Sequence, residues 1–295
     1  MKLAIDIGSN TIKCLLARPD GNGGLEKIFE RTLESRISAG RGRLVEGAAD
    51  IVSRAVNELS AGARGFASDF EISAVATSAL RDAPNRESVV EAVLRTTGVR
   101  VKILSGEEEA RLSYLGACSD PAVSAHKTKA YFDLGGGSME IVFGEGLEVK
   151  SYASLPVGAV SLQKMFCRGE LVSENQMEEI RQSALRAFGA LKMEGAGVLV
   201  GAGGAVAAAR LLNEKINSVR SNIVPRRCLR EFAAVLSRMT VAERAEKFSI
   251  AKSRADILIP ALLCIDALLE RFGRDSLLHT FNNLRYGIIL YGNQE

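Results

Sequence analysis

The chain of 295 residues has no tryptophan, and Phe, Trp and Tyr together make up 5% of it. That scarcity argues against stacking platforms for single-stranded nucleic acid. Its charge is nearly balanced, 38 basic against 35 acidic residues, and a net +3 gives no basic footprint for DNA or RNA. Only two histidines occur, His126 and His279, far from any cysteine group, which argues against a zinc site. The five cysteines, at 14, 118, 167, 228 and 264, form no Cys-x-x-Cys pair, so reduced, mostly buried thiols are expected. No charged leader and apolar run opens the chain, and Asp6 interrupts its first apolar stretch. The most apolar late segment, 257–269, contains Pro260 and Asp266, and reads as a buried amphipathic helix too short for a membrane span. A cytoplasmic protein with no membrane partner is expected. Ordinary proportions of hydrophobic (47%) and charged (25%) residues exclude a disordered or collagen-like chain.

Glycine is what the chain has in quantity, 28 residues, many at the ends of apolar stretches. Leu3, Ile5 and Ile7, then a Gly8-Ser9-Asn10 break, then Ile12 to Leu16 predict two strands around a turn. Asp20 to Gly24 predicts a second turn, and 25–29 a third strand. A helix over 45–59, a strand over 70–77, a helix over 85–97, a strand over 101–104 and a helix over 106–118 follow. The polar stretch 119–129 reads as a linker, after which the pattern restarts. Strands are expected at 130–134, 138–143 and 149–155, a helix at 176–193, a strand at 198–200, and mostly helix from 205 to about 272. The end, 277–290, mixes a short strand with an element that periodicity leaves open between helix and strand.

The restart is an internal repeat. Asp6 to Ile12 (DIGSNTI) aligns without a gap to Asp133 to Met139 (DLGGGSM): strand, terminal Asp, small-residue turn, returning strand. The expected architecture is α/β, with two related domains, 1–122 and 123–295, facing a central cleft; residues 285–295 are a candidate to pack back on the first. Small residues at such turns let phosphate oxygens approach backbone N–H groups. Asp6 and Asp133 either bond their own turns or offer oxygens to a hard cation such as Mg²⁺; occurring as a symmetric pair, they favour phosphate handling. A third glycine turn, Gly201 to Gly204, enters a helix and serves either an anion or close packing. Ser138 and Glu140 project to one face of the returning strand, so Asp133, Ser138 and Glu140 can crowd one metal or one water. Lys13 holds the place of Glu140 in the first copy.

Ser105 and Glu108 form a capping box at the start of the 106–118 helix. Its neighbour Glu109 has no such local duty, and either favours the positive helix end or does chemistry. Arg81 follows a strand, where it either holds a phosphate or pairs with Asp82.

These residues resemble those of the exopolyphosphatase and guanosine-pentaphosphate phosphatase (Ppx/GppA) family. The resemblance rests on 4–11, 76–83 (ATSALRDA), 104–112, 133–140, 155–160 (LPVGAV) and 254–257 (RADI). It implies two ribonuclease H-like domains of the actin, sugar kinase and heat-shock ATPase superfold, and Mg²⁺-dependent hydrolysis of a terminal phosphoanhydride. The substrate it implies is inorganic polyphosphate or, by the same mechanism, guanosine pentaphosphate. It places the water-activating glutamate on Glu109, the metal and water organisers on Asp6, Asp133 and Glu140, and phosphate on Gly8, Ser9, Asn10, Arg81, Gly135, Gly136, Gly137 and Ser138, with Gly203 and Gly204 as further candidates. Long members carry a C-terminal region of HD type, and the chain is expected to be the short two-domain form; a homodimer is the family's expectation. At 282–287 the chain reads NNLRYG, where the family usually has Gly-Leu-Arg, an acid and Gly. A kinase on the same superfold should lack the 76–83 and 104–112 motifs. The rival from another class is a non-catalytic phosphate- or nucleotide-binding regulator. The arginines at 220, 226, 227 and 230 read either as a guide for a polyanion or as a solvated face.

Overall fold

The computed structural model describes residues 1–21, 24–40, 42–191 and 197–292. Asn22 and Gly23 of the expected turn, Lys192 and Met193 at the end of an expected helix, and residues 293–295 lie outside the described residues. The chain divides into two compact units: Met1–Pro121 with Asn282–Glu295, and Ala122–Phe281.

In the first unit, β1 (Lys2–Ile7), β2 (Thr11–Pro19) and β3 (Leu25–Glu34) form an antiparallel meander. The short pair β4 (Ser38–Gly40) and β5 (Arg43–Leu44) precedes α1 (Ala48–Arg64), β6 (Glu71–Ala76), α2 (Ser78–Arg81), α3 (Arg86–Thr97), β7 (Val101–Ile103) and α4 (Gly106–Cys118). β6 lies parallel to β1 and β7 parallel to β6, so the sheet order is β3-β2-β1-β6-β7. Strand alternation separates two cores. Leu3, Ile5, Ile7, Ile12, Cys14 and Leu16 pack with Val52, Val56 and Leu59 of α1 and Val89 and Val93 of α3. The intervening Ala4, Leu15 and Ala17 pack instead with Leu112 of α4 and with residues from the end of the chain. The first helix starts at Ala48, later than the periodicity from Val45 predicts, because Gly47 stands before it in a left-handed conformation (φ 72°) that an α-helix does not continue through.

The second unit opens with α5 (Pro121–Ser124), β8 (Thr128–Leu134), β9 (Met139–Glu145) and β10 (Glu148–Leu155). The expected linker is thereby shortened: Lys129 is a buried strand residue whose ammonium donates to the Gly146 carbonyl at 3.0 Å. There follow α6 (Ala159–Phe166), α7 (Glu174–Phe188), β11 (Val198–Ala202), α8 (Gly203–Asn217), β12 (Ile223–Pro225), α9 (Arg226–Ser237), α10 (Val241–Phe248), α11 (Lys252–Arg271) and β13 (Ser276–His279). The sheet order is β10-β9-β8-β11-β13-β12. Its first three strands are again an antiparallel meander, with β8, β11 and β13 parallel. The repeat read from the turns therefore extends to sheet topology. α11 runs unbroken through the buried Pro260 at the centre of this unit's core.

The terminal helix α12 (Leu284–Tyr291) belongs to the first unit, so the second ends at Phe281 and not at the chain end. Glycines permit this return. A Cβ at Gly116 would collide with the Asn283 carbonyl, and one at Gly287 with the Leu112 carbonyl, so α4 and α12 approach backbone to backbone. Arg285, nearly buried, then fastens α12 to the meander through the Cys14 carbonyl (3.1 Å) and the Glu30 carboxylate (2.8 Å).

Candidate functional site

The two repeated turns close in the same way. Gly8 N–H donates to the Thr11 carbonyl at 3.1 Å, and Gly135 N–H to the Ser138 carbonyl at 2.9 Å. A Cβ on either glycine would stand 3.1 Å from that same carbonyl, so both turns are equally tight at the same place. The two strands on each side bring the expected residues opposite each other: Asp6 faces Lys13, and Asp133 faces Glu140.

Each turn is braced from outside, by different means. The Asn10 carbonyl accepts the N–H groups of Ser35 (2.9 Å) and Arg36 (3.2 Å). In the second unit the Gly135 carbonyl accepts from Ala159 (3.0 Å), and the Gly136 carbonyl from Val160 (2.9 Å) and Ser161 (3.0 Å), at the start of α6. This explains the 155–160 motif: a Cβ at Gly158 would collide with Gly136, so only glycine lets α6 seat its first N–H groups on the turn.

Asp6 is half-buried at the end of β1. Desolvation raises its pKa above the ordinary carboxylate value, against the opposing pull of Lys13 and Arg285. In the same unit the capping box forms as the spacing predicts, with Ser105 Oγ accepting from Glu108 N–H at 3.1 Å and Glu108 Oε2 from Ser105 N–H at 2.9 Å. It sets α4 so that Glu109, on the next position, meets Arg81. Arg81 Nη1 lies 2.7 Å from Glu109 Oε2 and also donates to the Leu104 carbonyl at 3.1 Å. The Asp82 carboxylate is farther, 3.9 Å from Arg81 Nε. Arg81 thus pairs chiefly with Glu109, a partner 28 positions away that no local pattern discloses.

In the second unit, Glu140 Oε1 accepts from Ser138 Oγ at 2.7 Å and from Ser154 Oγ at 3.1 Å. Ser154 went unread in the sequence, although it stands directly opposite Glu140 on β10. The Asp133 carboxylate occupies the space a side chain at position 203 would need, and Gly203 has φ 83°. Gly203 is therefore required both by its conformation and by Asp133. The next glycine, Gly204, lies under the Arg254 guanidinium, whose Nη2 would be 3.0 Å from an added Cβ. Arg254 belongs to the 254–257 motif, which the sequence signalled without a role attached to it.

Two carboxylates and a serine hydroxyl form an all-oxygen set that suits a hard cation retaining several waters. Among the described residues, no three His, Cys, Asp or Glu side chains gather into a metal-binding group. Asp133 and Glu140 would therefore supply part of a coordination shell and leave the rest to water and phosphate. Of the arginines read as a possible guide for polyanions, Arg220 pairs with Glu214 at 2.7 Å, while Arg226 and Arg230 clasp the buried Asp266 at 2.9 and 2.8 Å and also bond Glu270. Arg227 lines a cavity of about 590 Å³ beside that clasp. All five cysteines are free thiols, and burial pushes the Cys264 pKa up to about 12. No described helix is long and apolar enough to cross a membrane.

Comparison with known proteins now adds to this geometry. The profile of the Ppx/GppA phosphatase family matches residues 20–293. Exopolyphosphatase 1 of Mycobacterium leprae is 30% identical over 312 aligned positions, covering 98% of this chain and 89% of that protein. A putative exopolyphosphatase of Haemophilus influenzae is 24% identical, over 97% of this chain and 89% of its own length. Among solved structures, the Aquifex aeolicus member of the Ppx/GppA family superposes with a TM-score of 0.85 at 25% identity, covering 99% of this chain and 96% of that one. An exopolyphosphatase from Cytophaga hutchinsonii gives a TM-score of 0.81 at 18% identity over 99% and 98% of the two chains, which speaks to the fold alone.

Proposed function

The chain belongs to the Ppx/GppA phosphatase family, and we propose that it is an exopolyphosphatase, releasing orthophosphate from the end of inorganic polyphosphate with Mg²⁺. The observation that carries this reading is the ion pair between Arg81 and Glu109. A protein that only bound phosphate would lose affinity by keeping a carboxylate beside its anion ligand. A hydrolase needs that carboxylate to take a proton from water. The curated relatives named exopolyphosphatase favour polyphosphate over guanosine pentaphosphate as the first substrate to test.

In this reading Ser9 and Asn10, and Gly136, Gly137 and Ser138, hold phosphate oxygens through backbone N–H groups, while Gly8 and Gly135, whose own N–H groups close the turns, let those oxygens come near. Gly203 and Gly204 offer the start of α8 as a further phosphate contact within the second unit. Arg81 turns from Glu109 to the phosphate when substrate binds, which leaves the Glu109 carboxylate as base. Water oxygen attacks the terminal phosphorus, its proton passes to Glu109, and the bridging P–O bond breaks with its electrons going to the shortened chain. Within the second unit, Asp133 and Glu140 would hold Mg²⁺, which when bound would neutralise charge on the phosphoryl oxygens. Ser138 and Ser154 orient Glu140.

The test is phosphate release, with Mg²⁺, from polyphosphates of graded length, guanosine pentaphosphate and ATP, by wild type and Glu109→Gln. Loss of turnover by roughly two to four orders of magnitude in the variant is expected. Unchanged turnover would remove Glu109 from the mechanism. A wild type that binds these compounds and hydrolyses none is a regulator.

A further inference from the structure

Among the described residues, three that are not glycine have positive φ: Arg36 (45°), Ser218 (58°) and Ser249 (55°). The two serines end helices α8 and α10, where a left-handed residue is the usual terminator. Arg36 ends no helix. It lies just past β3, where the chain turns sharply so that its own N–H and that of Ser35 both reach the Asn10 carbonyl. Ser38 N–H also points to the Ser9 carbonyl, at 3.4 Å. The segment is therefore fixed to the tip of the Gly8–Asn10 turn through its backbone.

Glycine would make the same bonds without the steric penalty that a side chain meets at this φ. An arginine kept there points to a use for its side chain, since strain of this kind persists where function needs it. That side chain is not committed elsewhere. Its ion pair with Glu34, at 3.2 Å, joins groups 69% and 59% exposed, the kind of contact that contributes little and exchanges readily. Beside it, the Ser35 hydroxyl is more than nine-tenths buried and has no hydrogen-bond partner among the described residues. A second polar group on the same segment is thus buried without a partner, a cost that also needs a reason.

We propose that Arg36 is a further phosphate-binding residue, reaching the phosphate chain held at the Gly8–Asn10 turn and adding a fork of N–H donors to a turn otherwise built from backbone groups and two small polar side chains. The inference rests on the reading of that turn as a phosphate site. It assigns Arg36 to binding and not to bond cleavage, because a guanidinium has no proton to exchange at neutral pH.

Arg36→Gly separates this use from a structural one, since glycine relieves the backbone while removing the charge. With inorganic tripolyphosphate and Mg²⁺, Arg36→Gly is expected to melt no lower than wild type, raise KM roughly 10- to 100-fold and leave kcat within about threefold. Arg36→Lys should recover part of the loss, because a point charge replaces the fork. Equilibrium dialysis of tripolyphosphate with Glu109→Gln, alone and combined with Arg36→Gly, reads binding without turnover. Equal binding by these two proteins overturns the proposal, as does a lowered melting temperature in Arg36→Gly accompanied by no recovery in Arg36→Lys. If Glu109→Gln turns over normally, the general-base assignment fails, and the dialysis repeated without Mg²⁺ on wild type and Arg36→Gly decides Arg36. If wild type does not bind tripolyphosphate, both fall.

Discussion

The two glycine turns share a backbone and differ in the charge set across from their aspartates. Each has the same closing hydrogen bond, the same tight approach at its first glycine and the same strand register. Across from Asp6 stands Lys13; across from Asp133 stands Glu140, buttressed by two serines. A lysine beside an aspartate neutralises it and favours an anion nearby, whereas a second carboxylate gathers negative charge that only a cation relieves. The two turns thus share a backbone, and the residue on the returning strand, Lys13 or Glu140, sets their charge apart. Under the proposed function the first turn would hold phosphate and the second a metal.

This contrast breaks most visibly at Glu140. Glu140→Gln should lower kcat on polyphosphate by about 100-fold or more, with a steeper Mg²⁺ requirement. Lys13→Met should cost about tenfold or less, mainly in KM. Equal losses in a side-by-side Mg²⁺ titration would mean that the turns share one duty.

Glycine tests the fold of the turns as well as their charge. Gly203→Ala must displace Asp133 and adopt an unfavourable φ, so a loss of about 1–3 kcal/mol in stability and roughly 100-fold in kcat is expected. Gly8→Ala and Gly135→Ala meet one carbonyl each at 3.1 Å, and should each cost under about 1 kcal/mol, by equal amounts. Chemical denaturation of the three variants tests this, and unequal costs at 8 and 135 would break the likeness of the turns.

The smallest effect concerns pH. Burial raises the Glu30 pKa, but Arg285 and Lys27 outweigh it and hold the carboxyl below its ordinary value. A depressed carboxylate stabilises the fold above its unfolded-state pKa, and that contribution disappears as pH falls through the lower folded value. Glu30→Gln should therefore be less stable than wild type at pH 7, by about 0.5 kcal/mol because Glu30 itself is exposed, and match it in strong acid. A constant gap in melting temperature from pH 7 to pH 3 would mean that the ion pair is not what fastens α12.

Much of this molecule is local and was legible residue by residue. Alternation and helical spacing located the meander strands and most helices of the first unit, because burying one face imposes those periods on the chain. The Ser105–Glu108 cap and the two aspartate turns were equally plain, since each is closed by groups within a few positions. Small elements such as β12 and α10 were not separable within a long helical stretch, having too few residues to show a period. The end of the chain stayed ambiguous for a different reason. An apolar run of that length fits helix or strand until it is known that Gly116 and Gly287 let α12 lie on α4.

The chain's own pattern was thus sufficient for the repeat, the α/β class, the paired turns and the residue types available at each. Packing alone decided which of those residues meet: Arg81 with Glu109, Ser154 with Glu140, Asp133 with Gly203, and Arg36 with the Asn10 turn. The division has a physical cause. Periodicity and capping record interactions a few residues apart, whereas these contacts join segments separated by loops whose closure leaves no mark on composition.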